Sequence, residues 1–271
     1  MGDADEYTEI ASDCRMREVV AQHLVGQLLQ RHHAFPRMQF YMMTVIDDPV
    51  RTKDLRCTLR FRALVKKVHN ALAYADVRDW FGVKEIQPYV NWEAGYGRDL
   101  APHLHLILMT DGPLTRRQRR RLTRSQRFES FTEAPTVKLT QRLNVDGELA
   151  QMIYYLLKQP ERGANLVPPR IRIQLGIDGP EEVCQGYRQL DAAIRPDLAI
   201  RLTEALSQLR LSQLLISGGE GKAMTSATRL KMRQVRTRTV HIPDVALAWA
   251  EARRLAGKQQ YLPIVIDPYA R

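Results

Sequence analysis

Pro102-His103-Leu104-His105-Leu106-Ile107-Leu108 is the stretch on which the fold turns. Strand alternation sends His103 and His105 to one face and Leu104, Leu106 and Leu108 to the other. The leucine face asks for a core. The other face offers two neutral imidazoles pointing the same way, which can hold a divalent cation if a carboxylate or amide from an adjacent strand completes the set. Working backward, residues 83–93 read as the preceding strand, folded onto 103–109 as an antiparallel hairpin through the turn residues Gly95, Gly97 and Asp99. That pairing sets Glu93 opposite His103 with Asn91 on the same face, so Glu93 is the expected third ligand. Two histidines at this spacing also occur on a wet sheet edge, and a second feature has to support the metal reading.

The second feature lies at residues 146–158, whose apolar spacing predicts a helix. At 100° per residue, Ala150, Ile153, Leu156 and Leu157 fall on one side and Gln151, Tyr155 and Lys158 on the other. Tyr155 and Lys158 are then neighbours at i, i+3. A phenol with its pKa of about 10 is a poor nucleophile at neutral pH, and an adjacent ammonium improves it. Tyr154 falls at the margin of the apolar side, where packing explains it, and it is the second candidate hydroxyl.

Taken together, Pro102-His103-Leu104-His105-Leu106 followed by Tyr155-Leu156-Leu157-Lys158 resembles the HUH endonuclease superfamily, above all the plasmid and phage Rep proteins that initiate rolling-circle replication. Phe40-Tyr41-Met42-Met43-Thr44-Val45 is similar to their first motif, and the resemblance spans residues 38–160. It implies a metal-dependent endonuclease and strand transferase in which Tyr155 attacks a phosphodiester of single-stranded DNA, leaving a 5′-phosphotyrosine link and a free 3′-hydroxyl. His103 and His105 would ligate Mg²⁺ or Mn²⁺, and Lys158 would position or balance charge. The partners implied are single-stranded and origin duplex DNA and a separate helicase. Two departures stand out: the connection from Glu93 to His103 is longer than in compact relatives, and no second tyrosine follows Lys158 at helical spacing. A single-tyrosine transposase or a relaxase shares the motif, although relaxases place the nucleophile before the histidines. A DNA-binding regulator that kept the fold and lost cleavage is the alternative from another class.

The remaining elements fit around these two. Residues 16–31 predict an amphipathic helix, 38–46 a buried strand, 55–72 a long helix, 114–127 a basic helix and 136–142 a strand. The order β-α-β-β-α-β-α matches an α+β class: a central antiparallel sheet carrying helices on one face, Rep-like and related to the ferredoxin-like arrangement. Residues 1–36 read as a helical N-terminal extension, 37–168 as the endonuclease domain and 169–271 as a mostly helical, basic C-terminal extension. Within the last part, 194–216 and 245–256 look helical and 218–226 looks like a flexible linker.

A formal charge of +11 favours a polyanionic partner. Membrane spanning is not expected, since no apolar run approaches the roughly 20 residues required, and the acidic start of the chain points to the cytoplasm rather than to export. Arg116, Arg117, Arg119, Arg120, Arg121, Arg124 and Arg127 surround one helix with guanidinium groups suited to phosphate. Arg229, Lys231, Arg233, Arg236 and Arg238 form a second basic stretch placed to contact DNA flanking the cut. Gly221-Lys222 invites comparison with a phosphate-binding loop, but Ile216 stands where the first glycine belongs and Ala223 where a Ser or Thr would bind Mg²⁺, which rules out an appended ATPase. Cys14, Cys57 and Cys184 suggest neither a disulfide framework nor a thiolate site. His32, His33, His69 and His241 read as surface or packing residues.

Overall fold

The computed structural model describes residues 10–11, 13–47, 61–91, 100–123, 128–129, 135–158, 162–167, 170–176, 179–185 and 188–236. Helix α1 (Cys14–Ala34) begins at Asp13, whose carboxylate accepts from the amides of Arg15 and Met16 at 3.0 and 3.1 Å. It ends in Arg31, His32 and His33, basic residues suited to the negative end of the helix dipole. Met16, Val20, Leu24 and Leu28, four apart, run down its buried stripe. Strand β1 (Met38–Ile46), helix α2 (Phe61–Tyr74), strands β2 (Asp79–Pro88) and β3 (Leu100–Asp111), helix α3 (Arg116–Thr123), strand β4 (Val137–Gln141) and helix α4 (Asp146–Leu157) follow in the expected order.

The central sheet is antiparallel throughout, in the order β4-β1-β3-β2-β9, with β9 (Leu215–Gly218) closing the β2 side. The class is α+β, a five-stranded antiparallel sheet with flanking helices. Helices cover both faces, where one covered face was expected. The alternation on β3 sorts them. On the leucine face, Tyr41 accepts from the Leu114 amide at 3.0 Å at the start of α3, and His69 of α2 meets Trp80 edge-on at 6.2 Å. On the imidazole face, His32 of α1 meets Phe40 at 6.0 Å and Tyr155 of α4 meets His105. The hairpin strands are buried along nearly their whole length on both faces.

Two segments read as extensions are built into this core. Helix α1 packs on α4 and on helix α7 (Gly221–Arg236), and its apolar residues belong to the same cluster as those of the sheet. Residues 162–193, expected to lie in or before a helical region, form four strands: β5 (Arg162–Val167) pairs with β8 (Arg188–Ala193), and β6 (Arg170–Gly176) with β7 (Gly179–Gln185). Helices α5 (Pro196–Ser207) and α6 (Leu211–Leu214) then lead into β9, within the stretch read as one helix. The supposed linker after Gly218 is a tight turn into α7. Gly219 adopts φ +52°, and a Cβ at Gly221 would fall on the Trp80 carbonyl. The glycines bring the helix close to β2, which is a packing role and not a flexible one. The expected helix at 245–256 lies outside the described residues.

Candidate metal centre and tyrosine site

The hairpin register decides which carboxylate joins the histidines. Glu85 pairs with His103, Val83 with His105 and Pro88 with Leu100. Directly opposed residues share a face, so Glu85 lies beside both imidazoles. This corrects the expected pairing, in which Glu93 stood opposite His103. Strand β2 begins at Asp79 and ends at Pro88, so the connection is longer than the assumed turn; Glu93 falls in residues 92–99, outside the described residues. The register differs from the expected one by eight residues, an even number, so the carboxylate opposite His103 lies on the expected face.

The three side chains converge. Glu85 Oε2 lies 2.5 Å from His105 Nε2 and 3.2 Å from His103 Nε2, and the two Nε2 atoms are 3.0 Å apart. All three residues are buried, at 8, 6 and 2% exposure for Glu85, His103 and His105. Across the sheet on β1, Thr44 Oγ1 sits 2.9 Å from His105 Nδ1, which fixes the ring and leaves Nε2 facing the cluster. Burial alone would raise the Glu85 carboxyl, but His105 and His103 outweigh it and hold the group well below the usual carboxylate range. Burial pushes the His105 imidazole down against the pull of Glu85. A divalent cation needs its carboxylate ligand ionised and its imidazole ligands neutral. Glu85, His103 and His105 can therefore hold a metal ion, their ligand atoms all lying within 4.8 Å of one another.

Helix α4 delivers the tyrosine to this cluster. The Tyr155 ring stands edge-on to His105 with centroids 4.9 Å apart. Lys158 Nζ lies 4.1 Å from the Tyr155 ring centroid and 4.0 Å from Glu85 Oε1. Burial works to lower the Lys158 ammonium, but Glu85 and Tyr155 carry it above the usual lysine value. A positive charge is thus kept between the phenol and the carboxylate. Tyr154 points elsewhere: it is buried, and its hydroxyl donates to Glu18 Oε1 on α1 at 3.4 Å. Burial and the Glu18 carboxylate both raise its pKa far above the ordinary phenol value.

Residues that sequence reasoning missed are Glu85, Thr44 and two buried charges on α1, Arg17 and Glu18. Glu85 carried a signal, since on the strand read from residue 83 it is a carboxylate that alternation puts on the same face as Glu93.

The basic residues divide differently. On α3, Arg116, Arg117 and Arg120 are exposed, whereas Arg119 donates to Gln141 Oε1 at 3.0 Å and Arg121 to the Tyr74 carbonyl at 2.9 Å. This helix covers the leucine face, away from Glu85, His103 and His105. Arg124 and Arg127 lie outside the described residues. On α7, Lys231 and Arg233 are exposed, and Arg229 donates to the Leu215 carbonyl at 2.9 Å. Arg236 ends α7, and Arg238 and His241 lie outside the described residues. His33 Nε2 sits 3.1 Å from Asp146 Oδ1, joining the end of α1 to the start of α4. Among the described residues no helix is long and apolar enough to cross a membrane.

No protein-family model, curated protein or solved structure matches the chain.

Proposed function

We propose that this chain is a divalent-metal-dependent endonuclease of the HUH superfamily, similar to Rep proteins, that cuts and rejoins single-stranded DNA through Tyr155. The observation that carries the reading is the joining of two sequence features 50 residues apart: the Tyr155 ring rests against His105 with the Lys158 ammonium over its face. Neither feature alone distinguishes a nuclease from a packed core.

The residues divide the work. Glu85, His103 and His105 would hold Mg²⁺ or Mn²⁺, which when bound supplies Lewis acidity to a non-bridging phosphate oxygen. Tyr155 Oη forms the new bond to phosphorus and its proton leaves to solvent. The bond from phosphorus to the 3′-oxygen breaks, and that oxygen takes up a proton to become a free 3′-hydroxyl. Lys158 holds positive charge beside the phenol and favours its anionic form. Thr44 orients His105. Attack by the new 3′-hydroxyl reverses the reaction and restores the strand. Opening a replication origin of a plasmid or phage is the role this chemistry fits, with a separate helicase to unwind the duplex.

The test uses a pool of random-sequence single-stranded oligonucleotides labelled at the 3′ end, because the fragment joined to tyrosine retains that end. With Mn²⁺ the label should migrate with the protein on a denaturing gel, and chelation or Tyr155→Phe should remove it. A wild-type protein that binds the pool without forming the adduct would make the chain a regulator. An adduct that survives Tyr155→Phe and disappears in Tyr154→Phe would reassign the nucleophile.

A further inference from the structure

Arg17 lies on the helix that the sequence reads as an appendage, yet it is 4% exposed. Its Nε donates to the Ala11 carbonyl at 2.6 Å, and its Nη1 donates to the carbonyls of Leu157 at 3.0 Å and Lys158 at 3.2 Å. Leu157 is the last residue of α4 and Lys158 its C-cap, where the backbone turns extended at φ −54°, ψ 145°. The last carbonyls of a helix have no partner within it and carry its negative partial charge. Water or a glycine turn usually meets that need. Here a guanidinium meets it from 140 residues away in the chain. Burial pushes Arg17 down to about 10, with the Glu85 carboxylate pulling the other way, so the group stays charged at neutral pH. A buried cation held by carbonyls, with no carboxylate ion pair among the described residues, is an expensive arrangement for stability alone.

Its position gives it a use. The bonded carbonyls belong to the residue whose ammonium lies over the Tyr155 ring and to the residue before it. The same stretch of α1 holds the next tyrosine through Glu18, so Arg17 and Glu18 grip successive turns of α4.

We propose that Arg17 is a positioning residue for Lys158: it fixes the backbone where α4 ends, so that the lysine ammonium stays between Tyr155 and Glu85. The proposal rests on the reading of Tyr155 as nucleophile. It makes α1 part of the reactive site and explains why a basic residue is buried at the joint of two helices.

Arg17→Met should slow formation of the tyrosine adduct about 100-fold, the size of effect that an ångström of misplacement produces, while leaving the affinity for the labelled oligonucleotide unchanged. Arg17→Lys, whose ammonium can reach the same carbonyls, should recover part of the rate. In a Lys158→Met background, Arg17→Met should slow the reaction no further, because the group it positions is gone. Full additivity, or a loss confined to oligonucleotide affinity, would overturn the proposal. Amide exchange supplies a readout independent of activity: protection at residues 155–158 should fall in Arg17→Met, and unchanged protection would sink the proposal whatever the protein does to DNA. If the wild-type protein shows that loss of protection on mutation yet never forms an adduct, the nuclease reading fails while the contact stands.

Discussion

The two faces of strand β3 are buried to nearly the same degree and for opposite reasons. Leu104, Leu106 and Leu108 are fully covered under α2 and α3, and removal of their surface from water is sufficient reason for them to be there. His103 and His105 are covered almost as well under α4, yet burial of imidazole beside a carboxylate opposes folding unless something compensates. One face is accounted for by apolar burial, the other by polar contacts of Glu85 with both imidazoles, a set that could hold a metal ion. A strand read for hydrophobicity alone would call both faces core, and the difference marks the face on which the proposed chemistry would lie.

The sharpest way to break this contrast is on α4, whose adjacent tyrosines divide between the two explanations. Tyr155→Phe removes the hydroxyl that the proposed reaction uses and should abolish the covalent adduct, while the ring keeps its contact with His105. Tyr154→Phe removes the hydroxyl bonded to Glu18 and should do the reverse: the adduct persists, and stability falls by about 1 kcal/mol, the net worth of a typical hydrogen bond. Adduct assays and thermal melts on the same preparations separate the two. Equal loss of adduct in both variants would mean that the phenols act as a pair.

The strand offers the same division. Leu106→Ala should lower stability by roughly 2–5 kcal/mol and leave the Mn²⁺ affinity of the folded protein as it was. Glu85→Gln should weaken Mn²⁺ binding by more than the roughly 10–100-fold expected for a residue that only supports a ligand, and Glu93→Gln should not change it. Calorimetric titration with Mn²⁺ reads all three. Thr44→Val is the graded case: loss of the hydroxyl beside His105 Nδ1 should fall inside that roughly 10–100-fold range, because the ligand remains and only its orientation is lost. A Thr44→Val protein indistinguishable from wild type would show that the cluster needs no support from β1.

Short-range periodicity was enough for the element order through α4, whereas the pairing of histidine strand with tyrosine helix came from the resemblance and not from any pattern in the spacing. The sequence could not disclose register. Alternation places Glu85 and Glu93 on the same face, and only the length of the β2 to β3 connection chooses between them. Helix α1 was legible as a helix and illegible as a partner: its buried Arg17 and Glu18 look like solvent-facing charges until α4 is laid against them. The alternation in Arg170-Ile171-Arg172-Ile173-Gln174-Leu175 was a strand signal in plain view, and the helical reading of the C-terminal part overlooked it. Strand β9 was harder to see, since Leu214-Leu215-Ile216 continues a helical pattern and only pairing with Trp80 to Val83 makes it a strand.

The faces also divide the basic residues, and this gives the smallest expected effect. Lys231 and Arg233 lie on α7, which packs on the imidazole face, where the proposed reaction would place the DNA strand. Arg116, Arg117 and Arg120 lie on α3, beyond the leucines. For single-stranded DNA each phosphate contact adds about 0.7 to the slope of log affinity against log salt. Replacing Lys231 and Arg233 with glutamine should flatten that slope by up to about 1.4 for a single-stranded oligonucleotide, whereas replacing the three exposed α3 arginines should leave it unchanged. On a substrate with duplex beside the single strand, the α3 variant should lose slope as well, at about 0.9 per contact, because a flanking duplex is thick enough to reach around the sheet. An α3 variant that flattens the single-strand slope would place the bound strand over the leucine face and separate it from the metal cluster altogether.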